Sequence, residues 1–204
     1  MRSFICILLL LGASWLCVAQ TAPNKILIVG DSLSTAYGID RNEGWASLLA
    51  TRLASQAPDY TIVNESISGQ TTAAGLAQLP NWLSTHKPQI LILELGGNDG
   101  LQGLPLAHMQ NNLAQMITLA QQDKLKILLL GMQLPPNYGP QYTDGFKNIY
   151  PQLASEYKLP LVPFFLENVG GYLQYMQYDS IHPSLEAQQV MLDNVWPYLQ
   201  PLLK

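Results

Sequence analysis

Five short runs of apolar residues constrain this chain more than any other feature, because each leads into a turn rich in Gly, Asn or Ser and then into a segment with helical spacing. The runs occupy residues 26–29, 60–63, 90–95, 127–130 and 161–165. Runs that are apolar throughout, with no polar alternation, suit strands covered on both faces, as in a parallel sheet between helix layers. Between them, Trp45, Leu48, Leu49 and Leu53 fall on one face of a helix expected to begin near Glu43, and Met109, Leu113, Met116, Ile117 and Ala120 on one face of another. A last amphipathic helix is expected over residues 184–199, with Ser184 as N-cap and Val190, Leu192, Val195 and Trp196 among its apolar residues. Strand and helix alternate throughout, which predicts a doubly wound, three-layer α/β/α sandwich on a five-stranded parallel sheet, flavodoxin-like in kind. Ligands of such sheets sit at the carboxyl ends of the strands.

The N-terminus bears on compartment. Arg2 precedes an apolar run over residues 4–11, and small residues follow toward Ala19. That is the layout of a secretory signal peptide, and the run is too short to span a bilayer, which takes ~20 residues. Residues 1–19 are therefore expected to be a signal, with Ala22 as an alternative cleavage point, and residues 20–204 to form one domain. Cys6 and Cys17 would leave with the signal, and the large Leu16 argues against lipid attachment at Cys17. A periplasmic or secreted location without a stable membrane anchor follows. Loss of residues 1–19 removes one base, Arg2, and no acid, so the net charge moves from -4 to -5. That mild acidity, without a basic cluster, argues against nucleic acid as a partner. A monomer is expected.

Directly after the first run stands Gly30-Asp31-Ser32-Leu33-Ser34, a hydroxyl at a strand's carboxyl end beside a Gly that can bend sharply. Taken alone it reads more readily as a turn and helix cap, and it is not the Gly-x-Ser-x-Gly elbow of α/β-hydrolases. A serine hydroxyl needs a base to accept its proton, and His suits neutral pH. Of His86, His108 and His182, His86 precedes the third strand, at the wrong end of the sheet, and is expected to be solvated. His108 lies among polar residues early in a helix. Only His182 has a carboxylate, Asp179, three residues before it in one turn. Asp179 could then fix the imidazole's tautomer while the other ring nitrogen faces Ser32.

Four blocks in order carry a resemblance. Gly30-Asp31-Ser32-Leu33, Ser66-Ile67-Ser68-Gly69-Gln70-Thr71-Thr72, Gly96-Gly97-Asn98-Asp99 and Asp179-Ser180-Ile181-His182-Pro183 resemble those of the GDSL, or SGNH, hydrolase superfamily. The resemblance implies Ser32 as nucleophile, His182 and Asp179 as its partners, and an oxyanion hole from the N–H of Ser32, the N–H of Gly69 and the Asn98 amide. Asp31 is expected to brace the nucleophile turn, and Asp99 to bond backbone N–H groups without a catalytic step. No cofactor is implied, and no His/Asp/Glu cluster has metal-ligand spacing. Two departures stand out: Ser180 occupies a place often taken by Gly, and Gln70 one often taken by Asp.

From Lys25 to the C-terminus the chain looks like the bacterial periplasmic thioesterase, lysophospholipase and arylesterase subgroup, through residues 95–101, 134–139 and 176–183. The subgroup implies hydrolysis of acyl thioesters, lysophospholipids and simple aryl or alkyl esters, with peptides cleaved only when activated. Gly100 and Gly103 bracket Leu101, Gln102 and Leu104, which suggests a lid hinged on the glycines. Leu134, Tyr138 and Tyr142, in and just beyond the Pro-rich stretch 134–140, are further candidates for the groove wall. Two other readings are an SGNH carbohydrate acetylesterase and a non-catalytic, ligand-binding doubly wound module. Against the second, no Gly-x-Gly-x-x-Gly follows the first strand.

Overall fold

The structure, a computed structural model, describes residues 23–204. The expected signal peptide and both cysteines lie outside the described residues. Strands β1 (Asn24–Gly30), β2 (Tyr60–Asn64), β3 (Ile90–Glu94), β4 (Lys126–Leu130) and β5 (Leu161–Val162) form one parallel sheet in the order β2-β1-β3-β4-β5. The helices are α1 (Trp45–Gln56), α2 (Thr72–His86), α3 (Gly97–Leu101), α4 (Leu106–Gln122), α5 (Pro140–Tyr157) and α6 (Gln188–Leu199). α1 packs on α6 while α4 packs on both α2 and α5, the grouping of two helical layers on opposite faces of the sheet. This is the expected doubly wound α/β/α sandwich. No helix among the described residues is long and apolar enough to cross a membrane.

Burial follows the strand order. Residues 26–29 of β1 and 90–93 of β3 are fully buried, as are Leu128, Leu129 and Leu130 of β4. β2 departs from the expectation of two covered faces: as an edge strand it is only half-buried and leaves Thr61 exposed. β5 ends at Val162, short of the expected residue 165. Pro163 has no N–H to give the ladder, and the chain bonds around it, Gly131 N–H donating to Val162 and Phe165 N–H to Gly131 at 2.8 Å each.

The helix starts differ from expectation in an instructive way. Arg41–Glu43 is a separate 3-10 turn, and α1 begins at Trp45 behind Gly44, which has no side chain to cap it. The acceptor comes from elsewhere: buried Gln188 takes the Trp45 N–H at 3.0 Å, fastening α1 to α6. Ser184 does not cap an α-helix. It precedes the 3-10 turn Leu185–Ala187, and its hydroxyl donates to Glu186 at 2.7 Å. α4 buries Met109, Leu113, Met116, Ile117 and Ala120 as the periodicity requires. His86 is not simply solvated, since its Nε2 lies 2.6 Å from Glu65 Oε1.

The chain leaves β1 toward β2 on one side and returns to β3 on the other, so the strand order switches direction between β1 and β3. Connections there diverge to opposite layers and open a crevice at the carboxyl ends. Both sides of that crevice carry sequence blocks singled out above.

Gly100 sits within α3, buried, where an added Cβ would come within 2.6 Å of Leu134 Cδ2 and Phe146 Cε2. It is a close-packing residue. Gly100→Ala is expected to destabilise the fold by about 1–3 kcal/mol through overpacking. A urea titration should show this as a lower midpoint at unchanged slope; a wild-type midpoint would mean the space is not tight.

Candidate active site

Ser32 follows β1 in a turn built by its neighbours. Asp31 Oδ1 accepts the Leu33 N–H at 3.0 Å, and the Asp31 carbonyl accepts the N–H groups of Ser34 and Thr35. This local wrapping turns the chain at the strand end and leaves the half-buried Ser32 side chain at the crevice. Its Oγ is 2.9 Å from His182 Nε2. His182 Nδ1 is 2.6 Å from Asp179 Oδ2. An ionised carboxylate can only accept, so Nδ1 carries the proton and Nε2 is left to accept from the Ser32 hydroxyl.

Asp179 and His182 come from one hairpin-like loop. Met176 pairs with Pro183, Gln177 N–H donates to the His182 carbonyl at 2.8 Å, and Ser180 N–H to the Gln177 carbonyl at 2.9 Å. Asp179 Oδ1 accepts the backbone N–H groups of Ile181 and His182, both at 2.9 Å. Burial would raise the Asp179 carboxyl, but the hydrogen bonds from the His182 ring and the two N–H groups outweigh it and bring it down to about 2. Asp179 therefore stays charged as pH falls until well below the ordinary carboxylate range.

Two contacts missed by the sequence reading fix this loop in place. Gln177 Nε2 donates to the Tyr37 carbonyl at 2.8 Å and to the Pro183 carbonyl at 2.9 Å. The Tyr37 ring lies against the His182 imidazole, with centroids 4.4 Å apart. The loop after β1 thus holds both the hydroxyl and the ring that braces its partner.

On the other side of the crevice, Asn98 lies in α3 and its amide nitrogen donates to Asp31 Oδ2 at 3.0 Å and to the Gln70 carbonyl at 3.1 Å. Asn98 thereby joins the Ser32 turn to the block after β2. Gly69, with φ +78°, has nothing within 4 Å of where a Cβ would be. Among the described residues, neither the Ser32 N–H nor the Gly69 N–H has an acceptor in the protein. Asp99 accepts from the Thr72 N–H at 2.8 Å and the Thr72 hydroxyl at 2.5 Å, tying α3 to the start of α2.

Beneath the turn is a residue that the sequence reading absorbed into an apolar run. Glu94, the last residue of β3, is fully buried and pairs in register with Gly30. Its Oε2 accepts the Asp31 N–H at 3.2 Å and the Ser34 hydroxyl at 2.7 Å, while Trp45 Nε1 donates to Ser34 Oγ at 3.3 Å. Burial, reinforced by the Asp31 carboxyl, pushes Glu94 well above the usual carboxylate range. Burial likewise raises Asp31 to about 6, against the lowering pull of the Leu33 N–H, the His182 charge and the Asn98 amide. The signal was available: a lone acid in an otherwise apolar strand.

The candidate groove residues divide. Tyr138 and Tyr142 stack with centroids 6.4 Å apart and, with Leu106, Gly139, Pro140 and Gln141, line a shallow depression. Tyr138 OH donates to the Leu101 carbonyl at 2.9 Å and Tyr142 OH to the Leu104 carbonyl at 2.7 Å, so the loops after β3 and β4 are clasped together. Leu104 is exposed, and Leu134 packs on Gly100. Exposed His108 is remote in the chain from every contact of the Ser32 array. Among the described residues no three His, Cys, Asp or Glu side chains are grouped to hold a metal ion.

A doubly wound sheet with a hydroxyl, an imidazole and a carboxylate in hydrogen-bond series at its carboxyl edge is the architecture of a serine hydrolase. The chain belongs to the GDSL-like lipase/acylhydrolase family, whose pattern matches residues 28–190. It is 53% identical to esterase TesA of Pseudomonas aeruginosa over 184 residues, covering 90% of this chain and 92% of that one. It is 41% identical to thioesterase 1/protease 1/lysophospholipase L1 of Escherichia coli K12, covering 89% and 86%. The crystal structure of TesA superposes with a TM-score of 0.86 at 53% identity, covering 88% of this chain and 99% of that one.

Ser180 adopts φ +59°, a left-handed conformation that disfavours side chains. The strain lies between Asp179 and His182, at the position noted as often Gly. Ser180→Gly is expected to stabilise the protein by about 0.5–1 kcal/mol, read as a raised urea midpoint with the hydrolysis rate unchanged. A lower midpoint would show that the side chain contributes more than the backbone loses.

Proposed function

We propose that the chain hydrolyses carboxylic esters and thioesters of acyl substrates through an acyl-enzyme on Ser32. The observation that carries this reading is the unbroken series from Ser32 Oγ through His182 to Asp179, at 2.9 and 2.6 Å. In the proposed cycle His182 Nε2 takes the Ser32 proton as Oγ attacks the carbonyl carbon. The imidazolium is held by Asp179, which does not itself become protonated. Negative charge on the substrate oxygen meets the N–H groups of Ser32 and Gly69, and preorganised donors of this kind are the largest single source of rate in acyl transfer. Asn98 is the third proposed donor, and the substrate oxygen would share its amide with Asp31 Oδ2 and the Gln70 carbonyl, which take both of its N–H groups in the free site. His182 then protonates the departing alcohol or thiol and activates water to release the acid.

The names of the relatives support esters, thioesters and lysophospholipids as the substrate class. The acyl chain is proposed to run along the clasped loops, past Leu101, Leu104, Leu134, Tyr138 and Tyr142. The N-terminal layout supports export to the periplasm or medium, with residues 1–19 as the signal and residues 20–204 acting as a monomeric single domain.

Ser32→Ala is expected to fold with a wild-type melting temperature and to lose at least roughly 10³-fold in kcat on p-nitrophenyl esters, the scale of removing an activated nucleophile. It should also fail to take up a fluorophosphonate that labels the wild type. A panel of ester chain lengths and acetylated xylan fixes the substrate class. Full activity in Ser32→Ala would overturn the assignment.

A further inference from the structure

The exposed apolar side chains are not scattered. Among the described residues, every exposed large hydrophobic except Tyr198 stands on a segment beyond the carboxyl ends of the strands. Tyr172, Leu173, Tyr178, Ile181 and Leu185 crowd the segment that carries Asp179 and His182, and Tyr37 lies against the imidazole itself. Leu173 is 83% exposed and Tyr178 fully so, at 111%. Apolar exposure concentrated at one edge of the sheet in this way marks a surface that meets something.

Charge says what. The loops after the five strands carry one base, Arg41, against the acids Asp40, Glu43, Glu167, Asp179 and Glu186 that stand exposed there. Lys25, Lys87, Lys124, Lys126 and Lys158 stand at strand entrances at the opposite end, where they outnumber the exposed acids Asp59, Asp123 and Glu156. An anionic membrane would attract that basic end and repel the rim. A permanent protein partner on the rim would close the mouth over Ser32, whereas a lipid surface covers the same residues and presents acyl groups to it.

We propose that this rim adsorbs to a zwitterionic lipid–water interface, with Leu173, Tyr178 and their neighbours entering the headgroup region. The proposal rests on the acyl-ester reading for what the surface supplies, but its test does not need turnover. Purified Ser32→Ala protein is floated with phosphatidylcholine vesicles and, separately, with phosphatidylglycerol vesicles, and sedimented alone to read its oligomeric state. Flotation with phosphatidylcholine is expected, and Leu173→Ser with Tyr178→Ser should weaken partitioning at least roughly tenfold, since each loses an apolar side chain from the interface. In an otherwise wild-type background the double variant should still hydrolyse p-nitrophenyl acetate at the normal rate. Absence of flotation, preference for phosphatidylglycerol, unchanged partitioning of the double variant, or a dimer that the double variant dissolves would each overturn the proposal. Adsorption by a protein whose wild-type form cleaves no ester would instead refute only the acyl-ester reading.

An independent observation concerns the reaction itself. An added Cβ on Gly30 would come within 2.5 Å of Glu94 Oε2, so the Glu94 carboxyl fills the space that Gly30 leaves. From there it reaches both flanks of Ser32, through the Asp31 N–H and the Ser34 hydroxyl. The geometry points to Glu94 as a positioning residue that fixes the nucleophile turn as a hydrogen-bond acceptor, without needing charge. Among the described residues its Oε1 has no partner, so an amide can replace the carboxyl while keeping Oε2's contacts.

Glu94→Gln is expected to hold kcat within about threefold, and Glu94→Leu to lower it roughly 10- to 100-fold at near-constant KM, the scale of a small misplacement of a reacting group. Ser34→Ala removes one contact without disturbing the strand and should lower kcat several-fold. If Glu94→Leu or Ser34→Ala folds and keeps wild-type kcat, or if Glu94→Gln loses as much as Glu94→Leu, the role is overturned.

Discussion

The reactive edge hangs on the pairing of β1 with β3. Gly30 lies opposite Glu94 in that register, and the missing side chain of one makes room for the carboxyl of the other. A shift of one residue would turn Glu94 to the opposite face of the sheet. The turn holding Ser32 would then lose its acceptor from below, and Asn98, four residues beyond Glu94 in the chain, would be carried away from Asp31. The sheet therefore does more than support the loops; its register sets which backbone atoms of the nucleophile turn are held.

Burying two carboxyl groups side by side has an energetic cost, and the pH dependence of that cost follows from its sign. Asp31 is raised to about 6 and Glu94 further above its ordinary value. The folded state therefore keeps protons that the unfolded chain gives up, and stability falls as pH rises from the ordinary carboxylate range through the folded-state values. Asp179 acts in the other direction, its stabilisation present at neutral pH and lost only as the medium falls toward about 2. It is 41% exposed, so solvent screens much of that effect. The site thus holds one carboxylate kept charged by its hydrogen bonds and two that burial makes resist charge.

Much of this was legible in the sequence, for physical reasons. Uninterrupted apolar runs located the central strands because both faces of β1, β3 and β4 are covered; they overstated the burial of β2, an edge strand, and overran β5, which Pro163 ends. Ser32, Asp179 and His182 were legible because a hydroxyl after a strand and a carboxylate three residues from an imidazole are local patterns. Glu94 was visible only as a lone acid in an apolar strand, and its role was hidden because it depends on Gly30, distant in sequence and adjacent only through register. Gln188 and Gln177 escaped for the same reason, each supplying to another segment what that segment's own side chains lack. The packing role of Gly100 was hidden because a glycine beside apolar residues looks the same whether it bends the chain or admits Leu134 and Phe146.

The loop carrying Asp179 and His182 is closed by its own backbone bonds, from the pairing of Met176 with Pro183 to the Asp179 carboxylate that caps Ile181 and His182. Two of the three proposed reactive groups thus share one cassette, aligned with each other by bonds within it. Evolution can lengthen, shorten or exchange the sequence on either side without disturbing their mutual alignment, and an engineer can graft the piece whole. The serine's half has no such portability, because its shape is borrowed from a neighbouring strand.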